Sequence, residues 1–497
     1  MTIFGNGSTM TCVDEFRGGQ KMRIIGRKAE QEKLRQCESS RKSELVCVYG
    51  RRRVGKTYLV EQTFSERFAF RATGVEGGNT RTQLKSFHQR LRAYGDSSRT
   101  IPSDWFEAFS RLERLLADER ITTSSHGKKI VFFDEFPWFA TARSDFLAAF
   151  GEFWNRCGTA KGDLLFIVCG SATSWMIGNL IENSGSLYNR VTCQIFLRPF
   201  SLKETELYFR DREFDWSRKQ IAECQMIFGG LPYFFDLLNA NESLSWNIDT
   251  LCLRPGALLR HESNRLLEAT LKKSRIYGDI LHLLAKHPNG LEKTACQEML
   301  GVAAGSFSRA VDELIKCGYI WVYKEYYRKN HPHRLRIVDP FLLFHYHFLA
   351  EAESSEIRDF QPFVNEEGRY MNWRGHAFEN LCMCHIDEIK KSLGISGVET
   401  VVFPWESEKH QGGAQVDLVI ERKDQITNLC EMKYTDQPFA ISAEYERNLL
   451  NKMTTFKEET KTKHALKTVL ISSDGLAGSA HRERISHVIT LDDLFDA

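Results

Sequence analysis

A five-residue apolar run, Leu45-Val46-Cys47-Val48-Tyr49, leads directly into Gly50-Arg51-Arg52-Arg53-Val54-Gly55-Lys56-Thr57. The second part is the pattern G-x-x-x-x-G-K-[ST], which admits few folds. The apolar run reads as a buried strand. The glycines let backbone N–H groups turn inward around an anion. A helix follows, and its positive end points at the same anion. The backbone of Gly50, Arg51, Arg52, Arg53, Val54 and Gly55 would cradle phosphate oxygens. Lys56 would reach the β- and γ-phosphates of ATP, and the Thr57 hydroxyl would ligate Mg2+. The rival reading is a surface turn rich in Gly and Arg, which needs neither the strand before it nor the helix after it.

Lys129-Ile130-Val131-Phe132-Phe133-Asp134-Glu135 is the second informative stretch. A strand buried on both faces reads as a continuous apolar run. Two acids at its end are costly unless they meet a cation or water. Asp134 is expected to hold the Mg2+ hydration shell and Glu135 to polarise the attacking water. A third such strand, 164–169, ends in Gly170-Ser171. Ser171, or Thr173 beyond it, would contact the γ-phosphate or its water; alternatively Ser171 caps the next helix. Three strands with helices between them imply a parallel α/β sheet with its site at the carboxyl ends. Ahead of the first strand, Ile24-Ile25-Gly26-Arg27 precedes a helix over 28–38. That places Ile25, Gly26 and Arg27 near the expected purine base.

The bulk properties narrow the rest. At 497 residues the chain has room for about three domains. A net charge of +2 gives no global basic field for nucleic acid, although Arg51-Arg52-Arg53 is a local patch. The longest apolar runs are strand-sized, well short of the roughly 20 residues that span a membrane. Residues 1–20 read as a polar, flexible arm without an apolar signal core. The 13 cysteines are scattered, which suits reduced thiols in a cytoplasm. Cys382-x-Cys384 beside His385 has no second ligand pair and reads as core packing.

Between and beyond these strands the signals are weaker. Ser103-Asp104-Trp105 starts a helix with Phe106, Phe109, Leu112 and Leu115 at helical spacing. Arg190 is a candidate arginine finger, supplied in cis or by a neighbouring subunit of a homo-oligomer. Gly229-Gly230-Leu231-Pro232-Tyr233 reads as a sharp turn between helices that relays nucleotide state. Residues 277–338 have the pattern of a winged helix, with Ser306, Ser308 and Arg309 on the polar side of its third helix. Its wing carries Tyr326, Tyr327, Arg328, Lys329, His331 and Arg334, suited to a nucleic acid backbone. The other reading of this segment is an intramolecular spacer that transmits the state of the nucleotide site.

A second constellation lies near the C-terminus. Residues 373–382 read as a helix carrying Glu379 beside core-facing Phe378 and Leu381. Residues 415–421 and 426–433 read as a hairpin closed by a turn at 422–425. Asp417 then falls across the ladder from Glu431, and Glu431 shares a face with Lys433. Two acids at close range repel unless a divalent cation neutralises them. With Mg2+ on Glu379, Asp417 and Glu431, and Lys433 acting on water or developing charge, the set could cleave a phosphodiester. The bland reading is an exposed Glu–Lys ladder. Lys452, Lys457, Lys461 and Lys463 follow on a helix and would flank a phosphate backbone or sit in solvent.

Ile24 to Arg27, Gly50 to Thr57, Phe133-Asp134-Glu135-Phe136-Pro137 and Gly229-Gly230-Leu231-Pro232 together resemble the archaeal-type ATPases, within the AAA+-like and STAND-like P-loop NTPases. In that family a winged helix usually follows, and often a C-terminal domain similar to the PD-(D/E)XK restriction-endonuclease fold. Glu379, Asp417, Glu431 and Lys433 match the acid, Asp and Glu-x-Lys positions of that fold. The resemblance implies an α/β chain: a flexible arm (1–20), a parallel-sheet P-loop ATPase core (21–200), a helical lid (201–272), a winged helix (273–350) and a nuclease-like domain (351–497). It implies an ATPase using ATP and Mg2+, coupled to a metal-dependent nuclease acting on nucleic acid, DNA favoured. The alternative is a nucleotide-gated scaffold that binds nucleic acid or protein without cutting.

Overall fold

The structure, a computed structural model, describes residues 24–496 apart from 65–66, 159–161, 183–184, 186, 272–273, 325–332, 356, 367, 408–412 and 479–480. The N-terminal arm and all of the expected wing contacts except Arg334 lie outside the described residues.

The first sheet contains β1 (Glu44–Tyr49), β2 (Phe70–Thr73), β3 (Lys129–Asp134), β4 (Leu164–Gly170) and β5 (Cys193–Phe196). Their order is β2-β3-β4-β1-β5 and every pairing is parallel. Three of the five strands are the ones the sequence marks. The other two are four-residue edge strands with partly exposed positions, too short to make a continuous apolar run. Period-two alternation sorts the side chains of the central strands. Val46, Val48, Ile130, Phe132, Leu165 and Ile167 enter the core on one face. Leu45, Cys47, Val131, Phe133, Leu164 and Phe166 enter that on the other.

Helices α1 (Lys28–Ser39) and α2 (Lys56–Phe64) cover the first face. Helices α3 (Thr80–Ala93), α4 (Trp105–Ala117) and α5 (Phe146–Phe153) cover the second with aromatic rings. The α4 start is capped as its sequence suggests, Asp104 accepting from the Glu107 N–H at 2.8 Å. Trp105 and Phe146 meet edge-on at 4.7 Å.

After β5 the chain is helical through Leu202–Asp211, Arg218–Phe228, Pro232–Asp236 and Glu262–Thr270. It then forms a unit of three helices (Arg275–Ala285, Lys293–Leu300, Ala304–Lys316) and an antiparallel sheet. That sheet has β6 (Leu291–Glu292), β7 (Ile320–Lys324) and β8 (His333–Ile337) in the order β6-β8-β7. Ile280, Leu284, Phe307, Val311, Leu335 and Ile337 form its core. A helical run, 340–354, carries the chain onward.

The C-terminal sheet comprises β9 (Thr400–Glu406), β10 (Gln415–Arg422), β11 (Ile426–Lys433), β12 (Ala465–Ser472) and β13 (His487–Thr490) in the order β13-β12-β11-β10-β9. Pairing is antiparallel from β9 to β11 and parallel from β11 to β13. The Arg369–Cys384 helix packs on β11. This part shares one apolar cluster with the first sheet and the 202–236 helices, from Leu34 and Val46 through Phe209 and Phe228 to Phe378, Met432 and Phe495. Among the described residues no helix is long and apolar enough to cross a membrane, and the cysteines are free thiols. His385 lies in the core, where its ring bonds Leu381 O and the Leu202 N–H, in keeping with a packing role.

Candidate functional site

Strand β1 ends where the loop begins, and the glycines there do two different things. Gly50 has φ 148°, and a Cβ on it would stand 2.4 Å from the Leu197 carbonyl oxygen. Gly55 has φ 91° with nothing within 4 Å of a Cβ, so the loop stays open where an anion would sit. A cavity of about 360 Å3 adjoins it, within the range of small-molecule sites. Arg52, Arg53, Val54, Gly55, Lys56 and Thr57 line one side; Ile24, Ile25 and Arg27 line another.

The order β3-β4-β1 places the end of β4 between the loop and the two acids, and Ser171 occupies that place. Lys56 Nζ donates to Ser171 Oγ at 3.2 Å, and Ser171 Oγ donates to Glu135 Oε1 at 2.9 Å. Lys56 also bonds the carbonyls of Gly50 (3.0 Å) and Arg51 (2.8 Å). Ser171 does not cap the next helix, whose first turn has no side-chain cap. Thr173 is fully buried and stands outside the cavity. Thr57 Oγ1 donates to Asp134 Oδ2 at 2.9 Å, pairing the two expected Mg2+ contacts. Glu135 sits at φ 47°, a left-handed position unusual for a residue with a side chain.

Electrostatics agree with a cation-seeking site. Burial, and then the Glu135 carboxylate, push the Asp134 carboxyl up to about 6, against the Thr57 hydroxyl, the Glu135 N–H and Lys56. Burial lowers the affinity of the Lys56 ammonium for its proton, against the pull of Glu135. Thr57 and Asp134 therefore fit Mg2+: a buried carboxylate and a hydroxyl held together at an anion cradle.

Several sequence expectations need correction here. Two of the three loop arginines are paired within the protein, and Arg52 lines the cavity. Arg51 does not line the cavity: it pairs with Asp339 and donates to the Cys317 and Gly318 carbonyls. Arg53 pairs with Glu262 at 2.8 Å and lies 3.9 Å over the Tyr233 ring. Gly26 faces Glu204 rather than the cavity. Arg27 lines the cavity, but its N–H donates to Glu204 at 2.8 Å and its guanidinium lies over Phe200. Arg190 precedes β5, whose Cys193 pairs with Val46, so it lies at the end of the sheet opposite the loop. At about 3.3 Å per residue it is roughly 20 Å from Gly50, which removes the cis form of the arginine finger.

Other cavity residues carry no local signal. Tyr208 donates its hydroxyl to Asp236, and Arg212 lies 3.6 Å over the Tyr208 ring. These look like ordinary residues of amphipathic helices in sequence. Pro232 and Tyr233 do reach the cavity, and a Cβ on Gly229 would meet Pro340 at 3.3 Å.

The C-terminal acids also meet. Glu379, Asp417, Glu431 and Lys433 line one cavity of about 380 Å3. The β10–β11 register places Leu418 opposite Cys430, hence Asp417 beside Glu431. Glu431 is 2% exposed, which rules out the surface-ladder reading. Asp417 Oδ2 accepts from the Met432 N–H at 2.8 Å. Burial, Glu431 and Glu379 push its carboxyl up to about 6, against Lys433 and that N–H.

The three-carboxylate metal set is not assembled, however. Among the described residues no group of three or more His, Cys, Asp or Glu side chains is placed to hold a metal ion. Glu379 pairs with Arg336 at 3.3 Å and faces His376 at 3.6 Å. Burial alone would raise its carboxyl, but those two neighbours outweigh burial and lower it. Glu431 takes Lys452 Nζ at 2.6 Å and the Tyr445 hydroxyl at 3.3 Å, so the charge of Lys452 is engaged by a carboxylate rather than held for a phosphate backbone. Arg334 likewise turns inward, donating to Gly290 O at 2.8 Å. Arg336 and Tyr445 are site residues that sequence did not reveal, and Lys452 pairs with Glu431 where sequence suggested a phosphate backbone or solvent.

The comparisons concern mainly the first site. The model of an ATPase domain found predominantly in Archaea matches residues 25–237. An uncharacterised protein of Methanocaldococcus jannaschii is 22% identical over 418 residues, 83% of this chain and 88% of its own length. Among solved structures, a Walker-type ATPase of Pyrococcus abyssi is 19% identical, covering 65% of this chain and 96% of its own, with a TM-score of 0.48. The ORC2 protein of Aeropyrum pernix, solved as ADPNP–ADP complexes, is 15% identical over 69% of this chain and 98% of its own, with a TM-score of 0.40. Residues 25–237, the span that holds the first site, thus resemble an ATPase domain found predominantly in Archaea.

Proposed function

We propose that this chain binds ATP with Mg2+ in the cavity beside the Gly50 to Thr57 loop and hydrolyses it. We further propose that the cycle governs a metal-dependent site that cleaves nucleic acid, DNA in preference to RNA. The observation that carries the first part is the chain of contacts from Lys56 through Ser171 to Glu135. It links the cation of the loop, a hydroxyl and the carboxylate that would orient water. Thr57 and Asp134 would hold Mg2+, which when bound offsets the charge of the phosphates. Lys56 neutralises the same charge, and Glu135 takes the proton of the attacking water.

Three helices and a three-stranded antiparallel sheet over 275–337 support the winged-helix reading, and the mixed C-terminal sheet with the Arg369–Cys384 helix on it supports the PD-(D/E)XK reading. In the C-terminal cavity Asp417 and Glu431 supply two oxygen donors beside Lys433, and Glu379 is within the same space. Such a set suits a hard divalent cation such as Mg2+. Incubation with plasmid, single-stranded DNA and RNA, with and without ATP and Mg2+, tests the proposal. Lys56→Ala should lose ATP turnover. Asp417→Ala should lose cleavage and keep turnover; cleavage surviving in that variant removes the site.

A second reading is favoured by one observation. Arg336 on Glu379 and Lys452 on Glu431 put protein cations where a metal's charge would go. In that reading the domain binds nucleic acid or a protein without cutting. Absence of cleavage and of divalent-ion binding in the full chain would select it.

A further inference from the structure

The Glu379 carboxylate has both oxygens facing the protein: Oε2 toward Arg336 at 3.3 Å and Oε1 toward His376 at 3.6 Å. Arg336 belongs to β8, outside the C-terminal sheet, and is 5% exposed. Three residues later, Asp339 is 2% exposed and pairs with Arg51 of the phosphate loop. Asn380, next to Glu379, donates to Val338 O at 2.9 Å. Residues 336–339 thus touch the ATP loop at one end and the C-terminal cavity at the other. Fully extended, three residues span only about 10 Å.

The loop end of this segment is built to feel a phosphate. Lys56 Nζ bonds the Arg51 carbonyl at 2.8 Å, while the Arg51 guanidinium reaches the Cys317 carbonyl at 3.3 Å and lies 4.8 Å over Tyr319. An ammonium that turns toward a β- or γ-phosphate releases that carbonyl. The change acts on the residue whose side chain holds Asp339.

Charge in the far cavity gives the contact its consequence. Glu379, Asp417 and Glu431 are matched there by Arg336, Lys433 and Lys452, so a divalent cation would enter a site already near neutrality. Withdrawing Arg336 leaves the half-buried Glu379 carboxylate without its cation, and a divalent ion then stabilises it.

We infer that Arg336 is a latch: it keeps Glu379 from a divalent cation shared with Asp417 and Glu431, and nucleotide at the loop sets its hold through Arg51 and Asp339. The inference rests on the proposed reading of that cavity as a metal site. Coupling of this kind is reciprocal, so disturbing the latch must also change nucleotide affinity.

Two titrations of the full chain test it. In the first, Mn2+ is titrated calorimetrically without nucleotide into wild type, R336Q and R336Q/D417N. The expected result is Mn2+ binding at least tenfold tighter in R336Q than in wild type, and lost in the double variant. In the second, a fluorescent non-hydrolysable ATP analogue is titrated into wild type and R336Q, with an expected change of at least fivefold although Arg336 lies outside the nucleotide cavity. Should R336Q be unstable, R336M, whose apolar chain fills similar space, repeats both. Equal Mn2+ affinity in wild type and R336Q overturns the latch and leaves the metal site standing. No Mn2+ binding in either removes the metal site and the latch with it. An unchanged analogue affinity overturns the link to the loop.

Discussion

Asp134 is strained by its surroundings in a way that a bound cation would relieve. Its carboxyl is raised from 3.8 to about 6, chiefly by burial and next by Glu135. A carboxyl raised in the folded chain takes up its proton at a higher pH there than in the unfolded chain. Folding stability therefore falls as pH rises between those two values, and the loss, about 3 kcal/mol at 1.36 kcal/mol per unit, persists above them. Asp134→Asn should melt several degrees above wild type at pH 7.5 without nucleotide and lose that margin near pH 4, as scanning calorimetry would show. Equal melting at pH 7.5 would mean that the carboxylate is already compensated. Its neighbours predict a graded loss of turnover. Lys56→Ala should reduce ATP hydrolysis to background. Glu135→Gln should keep nucleotide binding and slow hydrolysis by about 10²- to 10⁴-fold, the usual range for a lost general base. Ser171→Ala should slow it by about fivefold, the worth of one hydrogen bond near 1 kcal/mol. Steady-state phosphate release and analogue binding, measured side by side, separate these effects.

Among the elements, the α3–α4–α5 layer holds the nucleotide site in place without touching it. Phe109 is 1% exposed and lies within 6.2 Å, ring to ring, of Phe133 on β3, the strand that ends in Asp134. Phe109→Ala should destabilise the chain by about 3–5 kcal/mol, the cost of an emptied aromatic site in a core. Hydrolysis per folded molecule should be unchanged; urea unfolding and turnover on the same sample check both. Helix α4 of this layer was legible in sequence because Phe109, Leu112 and Leu115 repeat at helical spacing, just as β1, β3 and β4 announce themselves by unbroken apolar runs. The loop and its acids were legible for the same reason: the chemistry follows a local pattern. What could not be read was set by contacts distant in the chain. The partner of Arg51 lies 288 residues away, and that of Glu379 lies 43 away on a strand of another sheet. A loop rich in arginine looks identical in sequence whether its guanidiniums face solvent, phosphate or a buried aspartate. Arg190 was misplaced because only the parallel register of the short edge strand β5 on β1 shows which end of the sheet it precedes.

Over the whole molecule, the two cavities sit on a frame that the chain's parts hold in common. One apolar cluster contains Val54 and Leu59, which line the first cavity, and Phe378, Met432 and Phe495 of the C-terminal part. Polar contacts cross the same boundary: Lys219 to Asp474 at 2.7 Å, Arg218 to Asp492 at 2.9 Å, and the Leu202 N–H to His385 Nε2 at 3.0 Å. Burial shared in this way makes neither part complete alone, since each would expose apolar surface that the other now covers. A chain cut at Gln361 should therefore give two poorly soluble fragments rather than a free ATPase and a free C-terminal domain. The intact protein should unfold in one calorimetric transition. A non-hydrolysable ATP analogue at a hundred times its Kd should add about 2.7 kcal/mol to that single transition. Because the frame is shared, the gain should not stop at the loop: amides of β10 and β11 should exchange more slowly with the analogue bound, as mass spectrometry would read. Two separate transitions, or protection confined to the nucleotide cavity, would show that the parts unfold independently, and that the packing between them carries no signal.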